Sequence, residues 1–254
     1  MADNENIIEV RDLAIGYGSR VIMKELNFSV KRGEIFGLLG GSGCGKSTLM
    51  KNLIGLYPPL AGEIFLNGKS LTRAEAKERR ELMRTFGVTY QGGALFGSMT
   101  VAENVALPLQ EFTDYSKEKI QKIVREKLEL VDLADFGDFM PAELSGGMKK
   151  RAGLARALAL EPELLFFDEP SAGLDPLASA SLDRLIKSLR DKFHSTIVIV
   201  THELDSIFSI VDRVIMLDKN LRTAVAVGSP RELRDHTDIP WVKQFLNRDG
   251  LKGA

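Results

Sequence analysis

The sequence predicts an α/β protein with a mostly parallel sheet. Strand-sized apolar runs alternate with helical patterns over most of the chain, and a glycine-rich turn joins one of these strands to a helix. Such alternation is typical of parallel sheets, because a helix carries the chain back to the start of the next strand. A chain of 254 residues can form one large domain, or a core with a modest insertion.

The composition is that of a globular protein with a real core. Hydrophobic residues make up 44% and charged residues 27%, which excludes disordered, collagen-like and disulfide-scaffold classes. The 34 basic and 35 acidic residues nearly cancel, so a protein that coats nucleic acid is not expected. The start of the chain lacks the features of a secretion signal, and no apolar run is long enough to span a bilayer. We therefore expect a cytoplasmic chain.

The N-terminal part is predicted to form strands separated by glycine-containing turns. A helix is expected to begin near Lys46, and Asn67-Gly68 is a turn signal. A charged helix is predicted over residues 72–84. The predicted strands in this part are residues 7–13, 21–30, 34–39, 61–66 and 86–90.

The middle of the chain is predicted to be a helical subdomain inserted at about residues 92–160. Ser116 is a predicted N-cap, and the apolar residues after it follow helical spacing: Ile120, Ile123, Val124, Leu128 and Val131.

The C-terminal half returns to alternating strands and helices. Asp175-Pro176 is predicted to open a helix whose buried stripe is Leu182, Leu185, Ile186 and Leu189. Strands are predicted at residues 164–167, 196–200, 213–217 and 222–227, with a final helix carrying Trp241, Phe245 and Leu246. This organisation predicts one domain at residues 5–228 and a short helical tail at residues 229–254.

Residues 40–47 match the phosphate-loop spacing G-x(4)-G-K-[S/T] and lie between a predicted strand and a predicted helix. Glycines let successive N–H groups turn toward phosphate oxygens, and the helix N-terminus adds a favourable dipole. Lys46 can neutralise the β- and γ-phosphates, and the Ser47 hydroxyl can bind Mg²⁺. Cys44 is interpreted as a small residue at a free position of the loop. The predicted nucleotide-binding residues here are Gly40, Gly41, Ser42, Gly43, Cys44, Gly45, Lys46, Ser47 and Thr48.

The apolar strand at residues 164–167 ends in two carboxylates, Asp168 and Glu169. In an α/β sheet, the carboxyl ends of the strands line the ligand crevice. Together with the phosphate loop, this predicts that Asp168 lies near Mg²⁺, directly or through water, and that Glu169 polarises an attacking water as general base. In a chain without a phosphate loop, the same residues would be explained equally well as the end of a strand followed by a turn.

Residues 144–148, LSGGM, lie just upstream of this strand and open a helix. With this motif, the chain resembles the nucleotide-binding subunits of ABC transporters. The resemblance implies an ABC-type P-loop fold, with a mostly parallel core sheet, an antiparallel β-subdomain and an inserted helical subdomain. It also implies ATP hydrolysis in a head-to-tail dimer, where the second anion site at Ser145, Gly146 and Gly147 contacts the γ-phosphate held by the partner's phosphate loop.

Further motifs of that family occur in the expected order. The resemblance implies that Gln91 approaches Mg²⁺ and the attacking water, that His202 contacts the γ-phosphate and that Tyr17 stacks on adenine. It also implies that Asp175 reaches across the dimer, in addition to capping its helix. The predicted catalytic residues are thus Glu169, His202, Gln91 and Lys46, and the predicted metal ligands are Ser47, Gln91 and Asp168.

Other residues are given ordinary roles. Met148 and Ser171 depart from the commonest family pattern without removing a catalytic group. His194 and His236 are predicted to be surface residues, and the basic run at residues 149–151 is predicted to be a solvated face.

Residues 90–96, 100–109, 144–158 and 240–246 are similar to one group of the family, the ATPases of bacterial MCE-associated phospholipid transport systems. This resemblance implies a complex of two copies of the chain with two permease subunits in the inner membrane. A periplasmic MCE-domain lipid-binding protein is a further implied partner, with a small accessory subunit as an additional candidate. Phospholipid would be the substrate, and the chain would lie peripherally at the cytoplasmic face.

Other classes of ATPase share part of this motif set. The iron–sulfur-assembly ATPase is similar in size and motif order, but its partners are soluble scaffold proteins. A nucleic-acid machine of the SMC type needs a long coiled coil between Gly45 and Ser145, and the chain between them is too short. A translation-factor ATPase needs two such domains in one chain, and a single set of motifs is present.

Overall fold

The structure is a computed structural model that describes residues 5–247, and it divides into two compact units. Unit 1 contains the described residues up to Glu75 and those from Thr196 onward, and unit 2 is Ala76–Ser195. In chain order, the elements are β1 (Asn6–Tyr17), β2 (Arg20–Lys31), β3 (Ile35–Gly40), α1 (Lys46–Leu53), β4 (Ala61–Leu66), β5 (Lys69–Ser70), α2 (Ala76–Met83), β6 (Phe86–Thr89), α3 (Val101–Phe112), α4 (Lys117–Leu130), α5 (Gly146–Ala157), β7 (Leu164–Asp168), α6 (Pro176–Phe193), β8 (Thr196–Val200), α7 (Leu204–Ile210), β9 (Arg213–Asp218), β10 (Thr223–Gly228), α8 (Pro230–His236) and α9 (Pro240–Asn247).

Unit 1 contains an antiparallel sheet in the order β2-β1-β4-β5. Ile8 of β1 pairs with Val30 on one side and with Leu66 on the other, and all three side chains are buried. The β4–β5 turn is formed by Asn67 and Gly68, both with positive φ, as the sequence predicts. This sheet supplies one wall of the unit 1 core.

The second sheet of unit 1 places β3 between two parallel neighbours, β8 and β9, and β10 continues from β9 in antiparallel pairing. Every residue of β3 is buried, which is expected for a strand in the middle of a parallel sheet. Leu38 pairs with Val200 and with Ile215, so β3 and β8 end at the same edge of the sheet.

Unit 2 combines a parallel strand pair, β6 and β7, with the predicted helical insertion. Ser116 caps α4 by accepting a hydrogen bond from the Lys119 backbone N–H, as predicted. Thr100 caps α3, and Glu103 completes a capping box there. The α/β prediction with parallel strand pairs and a separate antiparallel sheet is confirmed.

Two local predictions are wrong. The helix predicted at residues 72–84 begins only at Ala76, because the Ser70 hydroxyl bonds the Thr72 hydroxyl and the Arg73 backbone N–H and so stabilises a turn instead. In α6, Leu185 is only half-buried, whereas the neighbouring Asp183 is buried.

The C-terminal part ends in two short helices, α8 and α9, and the predicted final helix is confirmed as α9. The part of the predicted tail after Asn247 lies outside the described residues. Within residues 5–247, no helix has the length and apolar character needed to cross a membrane.

Candidate nucleotide site

The phosphate loop connects the buried strand β3 to the first residue of α1, Lys46. At two positions of this loop, the backbone conformation and the close approach of neighbouring atoms require glycine. Gly45 has φ +101°, and a Cβ there would lie 2.7 Å from the Ile22 side chain. Gly40 has φ +149°, and a Cβ there would lie 2.5 Å from the Leu217 carbonyl oxygen. The loop therefore packs closely against neighbouring segments at positions where only glycine fits. Its backbone N–H groups lie at the start of a helix.

The Lys46 ammonium lies over the phosphate loop. Its Nζ donates hydrogen bonds to the carbonyl oxygens of Gly40 at 2.8 Å and Gly41 at 3.2 Å. These acceptors belong to the loop itself, so the cation is held where a phosphate on the loop would meet it. Replacing the carbonyl acceptors by phosphate oxygens would give stronger, charge-assisted hydrogen bonds.

Cys44 is buried under the same loop, with only 1% of its surface exposed. Burial raises the pKa of its thiol above the usual value, although the nearby Lys46 charge acts in the opposite direction. The thiol is thus protonated at neutral pH, which fits a packing role.

Tyr17 lies at the end of β1 and is tied to the helix that follows the phosphate loop. Its hydroxyl is 3.3 Å from the Thr48 hydroxyl, and its ring makes a T-shaped contact with the Tyr57 ring at 5.7 Å between centroids. The residue is 47% exposed, so its aromatic side chain is accessible to a flat ligand such as a nucleobase.

His202 follows β8 and has an exposed side chain. Its Nε2 is 3.5 Å from the Glu203 carboxylate. Because β3 and β8 are parallel neighbours, the phosphate loop and His202 lie at the same edge of the unit 1 sheet. Unit 1 therefore brings together the phosphate loop, the open tyrosine ring and this histidine. The histidines predicted as surface residues, His194 and His236, are exposed, as expected.

Unit 2 brings Gln91 and the two carboxylates to one edge of its strand pair. Thr89 at the end of β6 pairs with Phe167 in β7. The segments that follow these two parallel strands therefore begin at the same edge of the strand pair. Burial raises the pKa of Tyr90, and the negative charge of Asp168 adds to that effect. Glu169 has φ +50°, an unusual backbone conformation for a residue with a side chain.

The LSGG motif opens α5, as predicted. The Ser145 hydroxyl accepts a hydrogen bond from the Met148 backbone N–H at 3.3 Å, and Gly146 and Gly147 form the first turn. Gly147 lines a cavity of about 240 Å³ together with Leu174 and Asp175. A helix N-terminus with two glycines gives an anion access to backbone N–H groups.

Asp175 is the N-cap of α6. Its Oδ1 accepts hydrogen bonds from the backbone N–H groups of Leu177 at 3.0 Å and Ala178 at 2.9 Å. The capping role predicted from Asp175-Pro176 is therefore confirmed.

The prediction of a solvated basic face at residues 149–151 is wrong for two of its members. Lys150 Nζ donates to the carbonyl oxygens of Ala172 at 2.5 Å and Pro170 at 2.7 Å, with Glu169 at 3.5 Å. Arg151 binds the Asp132 carboxylate at 2.6 Å, the Val131 carbonyl and the Ser181 hydroxyl, the last at 2.9 Å. The long side chains of Lys150 and Arg151 thus reach acceptors on neighbouring segments of the chain.

Two further supports of the Gln91 segment were missed in the sequence. Arg156 of α5 donates to the carbonyl oxygens of Gly93 at 3.0 Å and Ala94 at 2.8 Å. The buried Asn104 side chain accepts from the Phe96 backbone N–H and donates to three carbonyl oxygens of residues 96–100. The acceptors of Arg156 are backbone carbonyls about 60 residues away in sequence, so no local pattern signals these contacts.

A glycine-rich loop that opens a helix with Lys46 and Ser47, together with a strand that ends in Asp168-Glu169, defines a P-loop nucleotide-binding protein. The family model described as "ABC transporter" matches residues 23–172. The chain belongs to the ABC transporter family and is an ATP-binding ATPase of that family.

Several relatives and structures are similar to this chain over most of its length. The intermembrane phospholipid transport system ATP-binding protein MlaF of Haemophilus influenzae is 40% identical over 96% of this chain and 91% of its own length. The "Probable ribonucleotide transport ATP-binding protein mkl" of Mycobacterium leprae is 43% identical over 94% of this chain but only 68% of its own length. The dimeric post-hydrolysis state of the ATP-binding cassette MJ0796, bound to ADP and Pi, superposes with a TM-score of 0.79 at 27% identity, over 87% of this chain and 98% of that one.

Proposed function

We propose that this chain is the ATP-hydrolysing subunit of a bacterial transporter that moves phospholipids between the inner and outer membranes. The observation that carries this proposal is the 40% identity to a named phospholipid transport ATPase along nearly its whole length, 91%. The fold and the ATPase chemistry are common to the family, so the substrate is the specific part of the proposal.

In this proposal, the phosphate loop and Lys46 hold the triphosphate, and Tyr17 stacks on the adenine. Glu169 polarises the attacking water, and His202 and Gln91 contact the γ-phosphate and the water. Phosphoryl transfer needs little covalent help from the protein, so the rate comes from positioning and from charge stabilisation around the γ-phosphate.

The donor set fits Mg²⁺. Ser47, Gln91 and Asp168 would offer a hydroxyl, an amide oxygen and a carboxylate, which are the oxygen ligands that this ion prefers. Within residues 5–247, no cluster of three or more His, Cys, Asp or Glu side chains could hold a metal, which agrees with an ion bound by one carboxylate and completed by substrate phosphates. A bound Mg²⁺ would neutralise charge on the β- and γ-phosphates.

The proposed assembly contains two copies of the chain, arranged head to tail. Ser145, Gly146 and Gly147 of one copy would contact the γ-phosphate bound by the other, and Asp175 would reach across the same interface. ATP would favour the closed dimer because only there does it contact both copies. The similarity to a dimeric cassette of the family, at 27% identity, supports this arrangement.

The proposed partners are two permease subunits, an MCE-domain lipid-binding protein and a small accessory subunit. The chain would lie peripherally on the cytoplasmic face of the inner membrane. The domain division into a cassette at residues 5–228 and a tail at residues 229–254 is part of the same proposal. Nucleic acid is not a proposed partner, since the net charge of −1 offers no electrostatic attraction to it.

A second candidate is a transporter of ribonucleotides, favoured by the mycobacterial relative at 43% identity. That relative is longer, because this chain spans only 68% of it, whereas the chain spans 91% of the Haemophilus influenzae phospholipid transport protein.

Affinity purification of the tagged chain from detergent-solubilised membranes tests the proposal. We expect a multi-span permease, an MCE-domain protein and bound phospholipid, with ATPase activity in the recovered complex. Recovery of soluble scaffold proteins alone would contradict the transporter and favour an iron–sulfur-assembly ATPase. Phospholipid vesicles and ribonucleotides, added separately to the reconstituted complex, distinguish the two transport candidates by which one stimulates ATP hydrolysis.

A further inference from the structure

The half-buried side chain of Lys150 connects α5 to the turn that follows β7. Its Nζ contacts carbonyl oxygens of three residues in that turn, Glu169, Pro170 and Ala172. These carbonyls converge on one ammonium group, so a single side chain closes the turn. Lys150 lies on the second turn of the helix that Ser145 opens.

The turn needs such support because its first residue is strained. Glu169 has φ +50°, a conformation that persists only where the surroundings hold it. The bonds inside the turn are modest, with the Ala172 N–H at 3.2 Å from the Glu169 carbonyl and the Leu174 N–H at 3.0 Å from the Ser171 carbonyl. Two of the hydrogen bonds that Lys150 donates are shorter, at 2.5 Å to the Ala172 carbonyl and 2.7 Å to the Pro170 carbonyl.

The Glu169 carboxylate is also close enough to Lys150 to matter electrostatically. Burial lowers the pKa of the Lys150 ammonium, and the Glu169 charge acts in the opposite direction. Lys150 therefore interacts with Glu169 in two ways. It contacts the backbone carbonyl oxygen of Glu169, and it interacts electrostatically with the Glu169 carboxylate.

We propose that Lys150 is a positioning residue for ATP hydrolysis, which fixes the backbone of Glu169 and residues 170–172 against α5. This inference rests on the proposed role of Glu169 as the base. Since Ser145 begins the same helix, Lys150 links the proposed γ-phosphate contact for one ATP to the proposed base for the other. A small displacement of a catalytic group is enough to cost one to two orders of magnitude in rate.

Lys150→Met tests the proposal because methionine keeps the apolar stem and removes every donor. We expect kcat to fall by about tenfold to a hundredfold, while KM and the Kd for ATP stay unchanged. Hydrogen exchange at the amides of Ala172 and Leu174 should become faster. Lys150→Arg keeps a cationic donor and is expected to recover most of kcat.

Lys149→Met is the matched control, since Lys149 is the adjacent cation on the same helix and should leave kcat, KM and exchange unchanged. An unchanged kcat in Lys150→Met, or unchanged exchange at Ala172 and Leu174, would overturn the proposal. An equal loss in Lys149→Met would also overturn it, because the effect would then follow the charge of the helix. If Lys150→Met does not fold, Lys150→Leu, which also lacks a hydrogen-bond donor, is measured in the same way and judged by the same outcomes.

Glu169→Gln separates this inference from the proposed function. Full turnover in that variant would remove Glu169 from the mechanism, whatever Lys150→Met does. Lost turnover in Glu169→Gln with unchanged turnover in Lys150→Met would overturn the role of Lys150 alone.

Discussion

The phosphate loop at residues 40–45 and the acidic turn at residues 169–175 both follow a buried strand and both precede a helix, yet they are held differently. The cation of the phosphate loop is held by the loop itself, since Lys46 bonds the carbonyls of Gly40 and Gly41. The acidic turn is held by Lys150, which belongs to another helix. The position of the lysine that would bind the phosphates thus depends on local contacts, and placement of the proposed base depends on a tertiary contact.

The difference predicts which property each region controls. Substitutions in the phosphate loop should weaken nucleotide binding and leave the rest of unit 1 folded. Substitutions in the acidic turn, or in the helix that holds it, should slow turnover while ATP still binds. The following measurements test this division.

The largest effect is expected for Glu169→Gln. The amide cannot accept a proton from water, so kcat should fall by a factor on the order of 10² to 10⁴, the usual contribution of a general base. ATP binding should persist and trap a dimer, visible by size-exclusion chromatography with ATP. Glu129→Gln, on the exposed side of α4, is the control and should hydrolyse ATP normally. Unimpaired hydrolysis in Glu169→Gln would remove this residue from the mechanism.

A smaller effect is expected for Lys46→Ala. Loss of charge-assisted hydrogen bonds to phosphate should raise the Kd for ATP by about tenfold to a hundredfold, measured by calorimetry. The melting temperature should change little, because the hydrogen bonds of the Lys46 ammonium go to acceptors within its own loop. The exposed Lys69 provides a control as Lys69→Ala. An unchanged Kd would show that the loop backbone alone binds the phosphates.

Cys44 reports on the integrity of the phosphate loop, because it is the single cysteine of the chain. At pH 8, we expect native protein to react with iodoacetamide at least about tenfold more slowly than urea-unfolded protein, since burial keeps the thiol inaccessible and protonated. Folding raises the pKa of this acid, so its contribution to stability is present below the unfolded pKa and is lost as the pH rises through the folded value. Equal rates for native and unfolded protein would mean that the loop opens readily.

The smallest effect is expected at the end of the acidic turn. Asp175→Ala removes the cap of α6 and should lower the free energy of unfolding by about 1 kcal/mol. Asp175→Asn keeps a capping oxygen and should retain that stability while removing the negative charge. Urea denaturation measures both. Equal losses in the two variants would show that the charge, not the cap, stabilises the helix.

Much of the fold was predictable because its signals are local. The phosphate loop, the Ser116 and Asp175 caps and the Asn67-Gly68 turn each depend on a few consecutive residues. The alternation of strands and helices was likewise sufficient for the parallel strand pairs.

The supports of the site were not predictable in the same way. The basic run that contains Lys150 predicts a solvated face, because a basic run at a helix start usually is one. The acceptors of Lys150 are backbone carbonyls about 20 residues away in sequence, and every residue type has a carbonyl, so the sequence carries no mark of them. The same reason hides Arg156, whose acceptors are Gly93 and Ala94.

The discontinuous make-up of unit 1 has a consequence for synthesis of the protein. Strand β3, which leads into the phosphate loop, pairs with β8 and β9, and these emerge from the ribosome only after all of unit 2. At about 5–20 residues per second, the intervening stretch of about 160 residues takes roughly 8–30 s to make. During that interval, the nascent chain displays an apolar strand, Ile35–Gly40, without its sheet partners, while the contiguous unit 2 can already collapse. A chaperone at the ribosome exit therefore has a defined segment to shield and a defined time in which to shield it.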